Sequence, residues 1–304
     1  MAVSVAVPVA VGLTHLDHAL GGSAGALLDV ARTVDELGFA QIVLSEHVVL
    51  GTATPGHPGS TAAFPFTGAE PYPEPLAVLS AFAAVTRRVT LSTGILIAPL
   101  RPAVVVAKLA ATVDWLSGGR FELGVGSGWH DAEFEACGVP LDERVGRLDD
   151  TLRVCRHLWS GEGSPYSSPY TTFGEVSMRP LPVQQRLPIW VAGGANAAMA
   201  RRVAALGDGW SAIGSTTRDD IARGADLLRA AYSGAGRDPA TARIRCTPLL
   251  KRELSPSERL SAFIDAAPAL IDAGATVIQL PLAGLIRERS DVEPILQRVA
   301  DALI

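Results

Sequence analysis

This 304-residue sequence is short of lysine, cysteine and aromatic residues, and it has no long apolar run. Lys108 and Lys251 are its only lysines, so arginine carries almost all the basic charge. Basic residues number 26 against 31 acidic ones, a net charge of -5, and no basic stripe stands out. A nucleic-acid partner is therefore not expected, because a phosphate-binding face needs a cationic excess. Cys137, Cys155 and Cys246 are an odd, scattered set without metal-ligand spacing. They read as reduced thiols in a reducing compartment, and no metal site is expected. No stretch reaches the roughly 20 uninterrupted apolar residues of a membrane helix. The opening "MAVSVAVPVAVGL" has the apolarity of a signal peptide but not its positive region, since no lysine or arginine precedes Arg32. Its alternating valines read as a buried strand, and the expected location is cytoplasmic, with no membrane partner.

What is present is core material. With 48% hydrophobic and 19% charged residues the chain has enough apolar surface for a large core. Apolar, β-rich runs alternate with amphipathic helical runs, the pattern of parallel βα units. Strands are predicted over 3–9, 41–46, 89–97, 121–126, 188–193, 209–213, 243–250 and 275–281. Leu27, Val30, Val34 and Leu37 share one helical face, and Gly38 supplies the stop. Val145, Leu148, Leu152 and Trp159 form a second such face, and Leu260, Phe263, Ile264 and Leu270 a third before Gly274. Eight units at this length favour a closed (β/α)8 TIM barrel over an open sheet. The whole chain, 1–304, reads as a single α/β domain with two insertions, one over about 48–72 after strand 2 and one over about 160–187 between helix 4 and strand 5.

In a barrel, chemistry sits at the C-terminal mouths of the strands. The second strand ends in "IVLSEHVVL", with Glu46 and His47 at its mouth. His47 reads equally well there as a hydrogen-bonded structural residue and as an acid or base. His15, His18, His57 and His157 lack such placement and read as ordinary surface or packing residues. In the third strand, "VTLSTGILIAPLRP", Gly94 marks either a close-approach bulge or a tight bend. The fourth, "GRFELGVGSGWHDAEFEACG", spends Gly124, Gly126 and Gly128 at alternate positions and then presents Trp129 and His130. It is not a dinucleotide fingerprint, since the later glycine is missing; it offers a ledge of small residues on which a flat ring would rest. The fifth runs through Gly193 and Gly194 into a helix, where open amides and the helix dipole suit an anion. An ordinary βα turn would also take glycine there.

Read in order, "LSEHVV", "STGILIAPLRPAVVVAKLAATVDWLSGGRFELGVGSGWHDAEFEACGVPLDERVGRLDD", "MRPLPVQQRLPIWVAGGAN" and "RRVAALGDGW" resemble the luciferase-like monooxygenase superfamily, more closely its F420-dependent oxidoreductase branch. The resemblance spans roughly residues 20–215. It implies a barrel with a flavin or deazaflavin ring over the strand mouths, and an oxidoreductase that moves a hydride to or from a small organic substrate with coenzyme F420. It carries a catalytic role onto Glu46 and His47, with His130 as a second donor and Glu46 orienting the histidine or the ring. A non-prolyl cis bulge behind the ring falls on Thr93, Gly94 and Ile95. The ring pocket falls on Gly126, Ser127 and Gly128, with Trp129 and His130 bordering the substrate side, and the phosphate site on Ala192, Gly193, Gly194, Ala195 and Asn196. Arg201, Arg202 and Arg218 read as surface charges or as contacts for a long anionic tail. Phe64, Phe66, Tyr72, Tyr166 and Tyr170 suggest a partly aromatic lid. The alternative implied by the same motifs is an FMN-dependent two-component monooxygenase with a flavin reductase partner, and a third reading is a non-catalytic binding barrel. A homodimer is expected from the superfamily.

Overall fold

The computed structural model describes residues 6–51, 70–251 and 253–304. Eleven strands are set out along them: β1 (Val9–Gly12), β2 (Gln41–Leu44), β3 (Thr90–Thr93), β4 (Leu96–Ile97), β5 (Phe121–Gly126), β6 (Tyr166–Ser167), β7 (Thr172–Phe173), β8 (Ile189–Gly193), β9 (Gly209–Thr216), β10 (Arg243–Pro248) and β11 (Val277–Pro281). All but β6 and β7 pair in parallel in the order β3-β2-β1-β11-β10-β9-β8-β5-β4. The sheet closes where β3 also pairs with β5, Leu91 opposite Phe121 and Ser92 opposite Glu122. Strands β3 and β4 form one interrupted stave, so the result is an eight-stave (β/α)8 barrel.

Helices α1 (Asp17–Leu20) and α2 (Ala24–Glu36) follow β1, α3 (Pro75–Val85) follows β2 and α4 (Ala103–Ser117) follows β4. After β5 come α5 (Asp131–Ala136) and α6 (Arg144–Trp159); α7 (Ala197–Leu206), α8 (Arg218–Gly234), α9 (Pro256–Asp272) and α10 (Val292–Leu303) follow the remaining staves. Two cores result. The large one lies between staves and helices and takes Val30, Val34, Leu148, Leu152, Phe263 and Leu270, as the helical periodicity predicts. The small one fills the barrel with Ala10, Val43, Trp190 and Val277.

The staves depart from the sequence reading in informative places. The first strand runs Val9–Gly12 among the described residues, past its predicted end at residue 9, while the predicted start at residue 3 lies outside them; Pro8 has no amide to give the ladder and only its carbonyl pairs, accepting from Ile278 N at 2.9 Å. The third breaks after Thr93 and carries a cis Gly94–Ile95 peptide, where a continuous strand over 89–97 was expected. Val145 opens the predicted face of α6 but is exposed, because it lies in the first turn, before the helix meets the sheet. The 160–187 insertion folds as the antiparallel β6–β7 hairpin against α6, with Tyr166 Oη donating to Asp150 at 2.8 Å.

Candidate active site

The mouth of β2 is built by hydrogen bonds that reach across the barrel top. Ser45 follows the strand; its amide donates to Thr14 Oγ1 at 2.9 Å, and its hydroxyl lies 2.7 Å from Tyr72 Oη. Glu46 is buried, accepts from the amide of Ile97 at 2.6 Å and pairs with Arg101. It therefore ties the end of β2 to β4 beyond the cis bulge. Burial pushes its carboxyl above the usual range, against the Arg101 ion pair that favours the charged form. Of the two roles expected for Glu46, orienting the histidine or the ring, the first is not seen, since its oxygens are taken by Ile97 and Arg101.

Glu133 orients His47 instead. The buried carboxylate, from α5, takes His47 Nδ1 at 2.9 Å and the amide of Val48 at 2.5 Å. This is a histidine–carboxylate pair, formed by residues 86 positions apart. The rings of Tyr72 and Trp129 meet His47 edge-on, with centroids 5.3 and 6.0 Å away.

Around His47 the mouth encloses a cavity of about 240 Å3, floored by Gly94, Ile95, Gly126, Gly128 and Ala192, with Ser127 and Trp129 at its border. A second cavity of about 200 Å3 shares Ser45 and Gly94 with it. Together they fall within the size of small-molecule pockets, about 300 to 1,000 Å3. The small-residue floor fits a flat ring. Thr93 does not line this cavity; its Oγ1 donates to the carbonyl of Gly124 at 2.6 Å beneath the floor.

The alternating glycines have a protein cause as well as a cavity. A Cβ on Gly124 would stand 1.9 Å from the Thr93 carbonyl oxygen; on Gly126, 2.8 Å from Ile95 Cδ1; on Gly128, 2.6 Å from Ile97 Cγ2. All three make room for the interrupted stave, and Gly126 and Gly128 also line the cavity. Gly128 has φ +74, a left-handed conformation that glycine adopts without penalty.

His130 is placed differently from expectation. It is buried as the N-cap residue of α5, its Nε2 accepts from the amide of Gly51 at 3.0 Å, and it does not line the cavity. With Nε2 accepting, the ring is neutral and its proton sits on Nδ1. Tyr166 stacks on Phe173 and Tyr170 lies against Arg147, both beside α6 and away from this mouth. Tyr72 does line it, while Phe64, Phe66 and His57 lie outside the described residues. At β8, Gly193 and Gly194 lead into α7, whose N-cap Asn196 accepts from Met199 N at 2.9 Å. Gly194, Asn196 and Ala197 are exposed and Ala195 half-buried, leaving an open helix terminus beside Ala192. Arg202 is held by Asp149 at 2.5 Å, whereas Arg201 and Arg218 are exposed.

Sequence reasoning missed Glu133 and passed over His15. The acids of "HDAEFEACG" are visible, but which one faces His47 is decided by the turn at α5. His15 has φ +61, meets Tyr72 edge-on at 4.4 Å and lines a further, apolar cavity of about 420 Å3 that shares Ser45 and Tyr72 with the first. Burial pulls its pKa down to about 4, so at neutral pH it is an uncharged imidazole and not a surface cation.

A parallel barrel with a ring-sized cavity and a histidine–carboxylate pair at its mouth has room for a flat ring beside a group able to exchange a proton. The chain belongs to the luciferase-like monooxygenase family, whose model matches residues 1–275. It is 32% identical over 217 residues to the uncharacterized protein Rv0953c of Mycobacterium tuberculosis, covering 68% of this chain and 74% of that one. It is 30% identical over 172 residues to the FMNH(2)-dependent dimethylsulfone monooxygenase of Pseudomonas putida, covering 56% and 47%. Among solved structures it resembles monooxygenase RslO1 of Streptomyces bottropensis (TM-score 0.76, 24% identity, 98% of each chain). It also resembles the coenzyme F420-dependent tetrahydromethanopterin reductase of Methanopyrus kandleri (TM-score 0.75, 14% identity, 99% and 100%). Family membership supports an oxidoreductase. No helix among the described residues is long and apolar enough to cross a membrane.

Proposed function

We propose that this protein is an oxidoreductase that uses coenzyme F420 to move a hydride to or from a small, uncharged organic substrate. The observation that carries this reading is the His47–Glu133 pair at the edge of the ring-sized cavity. When bound, a deazaflavin supplies a carbon that gives or takes a hydride and little oxygen chemistry. Hydride exchange at an alcohol or carbonyl carbon requires a proton to leave or join the neighbouring oxygen, and His47 is the group for it. Glu133 holds the ring with Nδ1 turned inward, so Nε2 is the nitrogen that would exchange the proton. Glu46 and Arg101 keep the β2 mouth in register with the bulge, and Tyr72 and Trp129 exclude water around His47. The open terminus of α7, with Gly193, Gly194, Ala195 and Asn196, would hold the cofactor phosphate. His130 supports the Gly51 backbone in this reading and hands over no proton.

The apolar cavity takes the body of the substrate. It is lined by Leu13, Leu16, Leu20, Leu27 and Val78, with neutral His15 and the Thr14–Ser45–Tyr72 hydroxyl chain at its edge. Asp17, in its lining, disfavours an anion. A homodimer is part of the same proposal and is measured by sedimentation velocity.

The second reading, reduced FMN with a partner reductase, is favoured by the monooxygenase of Pseudomonas putida, whose name states that cofactor. Titrating the purified protein with F420 and, separately, with FMN, following ring fluorescence, decides between them. Tight F420 and weak FMN binding is expected. Preference for FMN selects the second reading, and binding of neither leaves the non-catalytic barrel.

A further inference from the structure

One charged group under the cavity floor has no part in the site as described. Arg245 leaves β10 for the barrel interior and is 1% exposed. Its Nη1 donates to Ser92 Oγ at 2.9 Å and Gln41 Oε1 at 3.3 Å; its Nη2 donates to the Thr93 carbonyl at 3.2 Å and Ser211 Oγ at 3.4 Å. The guanidinium also lies 5.0 Å from the ring centroid of Trp190. All these partners are neutral. The carboxylate nearby, Glu122, is taken by Arg243 at 2.8 Å, by Gln41 Nε2 at 2.7 Å and by Trp190 Nε1 at 2.5 Å. Among the described residues, then, two guanidiniums at this level share one carboxylate. Burial lowers the pKa of Arg245 to about 10, which still leaves it charged at neutral pH.

Its place relative to the cavity is set by the glycines above it. A Cβ on Gly94 would stand 3.3 Å from Arg245 Nη2, and one on Gly124 would stand 3.2 Å from it. Gly94 is cavity floor. A single layer of backbone therefore separates the charge from whatever rests there, in surroundings of low dielectric where charges act strongly.

We propose that Arg245 is a positioning residue that holds the Thr93 carbonyl beneath the bulge and sets under the ring a positive charge that Glu122, shared with Arg243, only partly offsets, so that the site prefers the reduced, anionic cofactor. This rests on the ring-binding function proposed above. The charge balance is simple. A hydride carries one proton and two electrons, so a ring that accepts it gains one negative charge. The substrate carbon loses that hydride, and the proton of its heteroatom leaves to His47. A positive charge under the floor stabilises the ring on the reduced side and raises its reduction potential.

The test is the ratio of dissociation constants for oxidised and reduced cofactor, measured by anaerobic fluorescence and absorbance titration with F420 and with FMN on the full chain. Arg245→Met should cut the preference for the reduced form about tenfold, equivalent to about 30 mV for a two-electron couple. Arg245→Lys should keep most of it. Glu122→Gln removes the interior anion and should move the ratio the opposite way. A purely structural role would weaken both forms alike and leave the ratio unchanged. If Arg245→Met fails to fold, Glu122→Gln carries the test. Unchanged ratios in the folded variants overturn the inference while ring binding stands; a wild-type protein that binds neither cofactor overturns the proposed function and this inference together.

Discussion

At the scale of residues, the proposed chemistry turns on which carboxylate faces His47. Glu46 is its neighbour in sequence and stands at the same mouth, yet both its oxygens are engaged by Ile97 and Arg101. Glu133 stands on α5, far away in sequence, and meets His47 Nδ1 at 2.9 Å. His47→Asn should lower turnover about 100- to 10,000-fold, the usual worth of a positioned acid or base. Glu133→Gln should cost less, because the amide can still hold the His47 ring by a hydrogen bond at Nδ1 but no longer as a carboxylate. Turnover against pH with the bound cofactor checks both, and a His47→Asn enzyme with wild-type turnover and profile would sink the assignment. His47 and Glu46 were legible because a charged pair after a buried strand is unusual. Their separate jobs were not, since neighbours on an extended segment point in different directions.

At the scale of elements, the interrupted β3–β4 stave explains the glycines of β5. Gly124 faces a backbone oxygen that has nowhere to go, whereas Gly126 faces the far end of the flexible Ile95 side chain. Gly124→Ala should therefore destabilise the fold by at least the roughly 1–3 kcal/mol of an overpacked core position, without touching the cavity directly. Gly126→Leu should spare the fold and block the ring. Thermal denaturation and cofactor titration separate the two; a Gly124→Ala protein as stable as wild type would show that the stave can shift. The βα order and most of the mouths were legible from periodicity and turn residues, and Gly94 stood out as a bulge or bend, though the strand was expected to run on through it. The end of the first strand at Gly12 was not legible, because alternating valines signal a strand without marking its last residue.

At the scale of the whole molecule, the two ends of the barrel divide the work. The top carries the cavities around His47 and His15, and the bottom is knit by carboxylates bonded to several donors. Burial opposes the ionised form of Asp35, but the amides of Val89, Arg88 and Arg87 outweigh it and hold its carboxyl below the usual range. Asp208 is likewise held down against burial by Arg156, Arg186 and the amide of Ile189. Both groups have a folded pKa below the unfolded value of about 3.9. Their stabilisation is thus complete above that value and is lost as pH falls through the lower, folded pKa. Tm should hold from neutral pH down to about 5 and fall below about 4. Asp208→Asn should lower Tm at pH 7 and flatten that acid limb, and a variant with an unaltered acid limb would contradict the linkage. By itself the sequence determined the parallel βα order, the barrel class, the mouths of the staves and the family resemblance, because these are written in local periodicity and short motifs. Only the tertiary structure decided that Glu133 meets His47, that His15 faces a cavity and that Arg245 lies beneath the floor. Those contacts join residues far apart in the chain, and their partners are chosen by barrel closure and register.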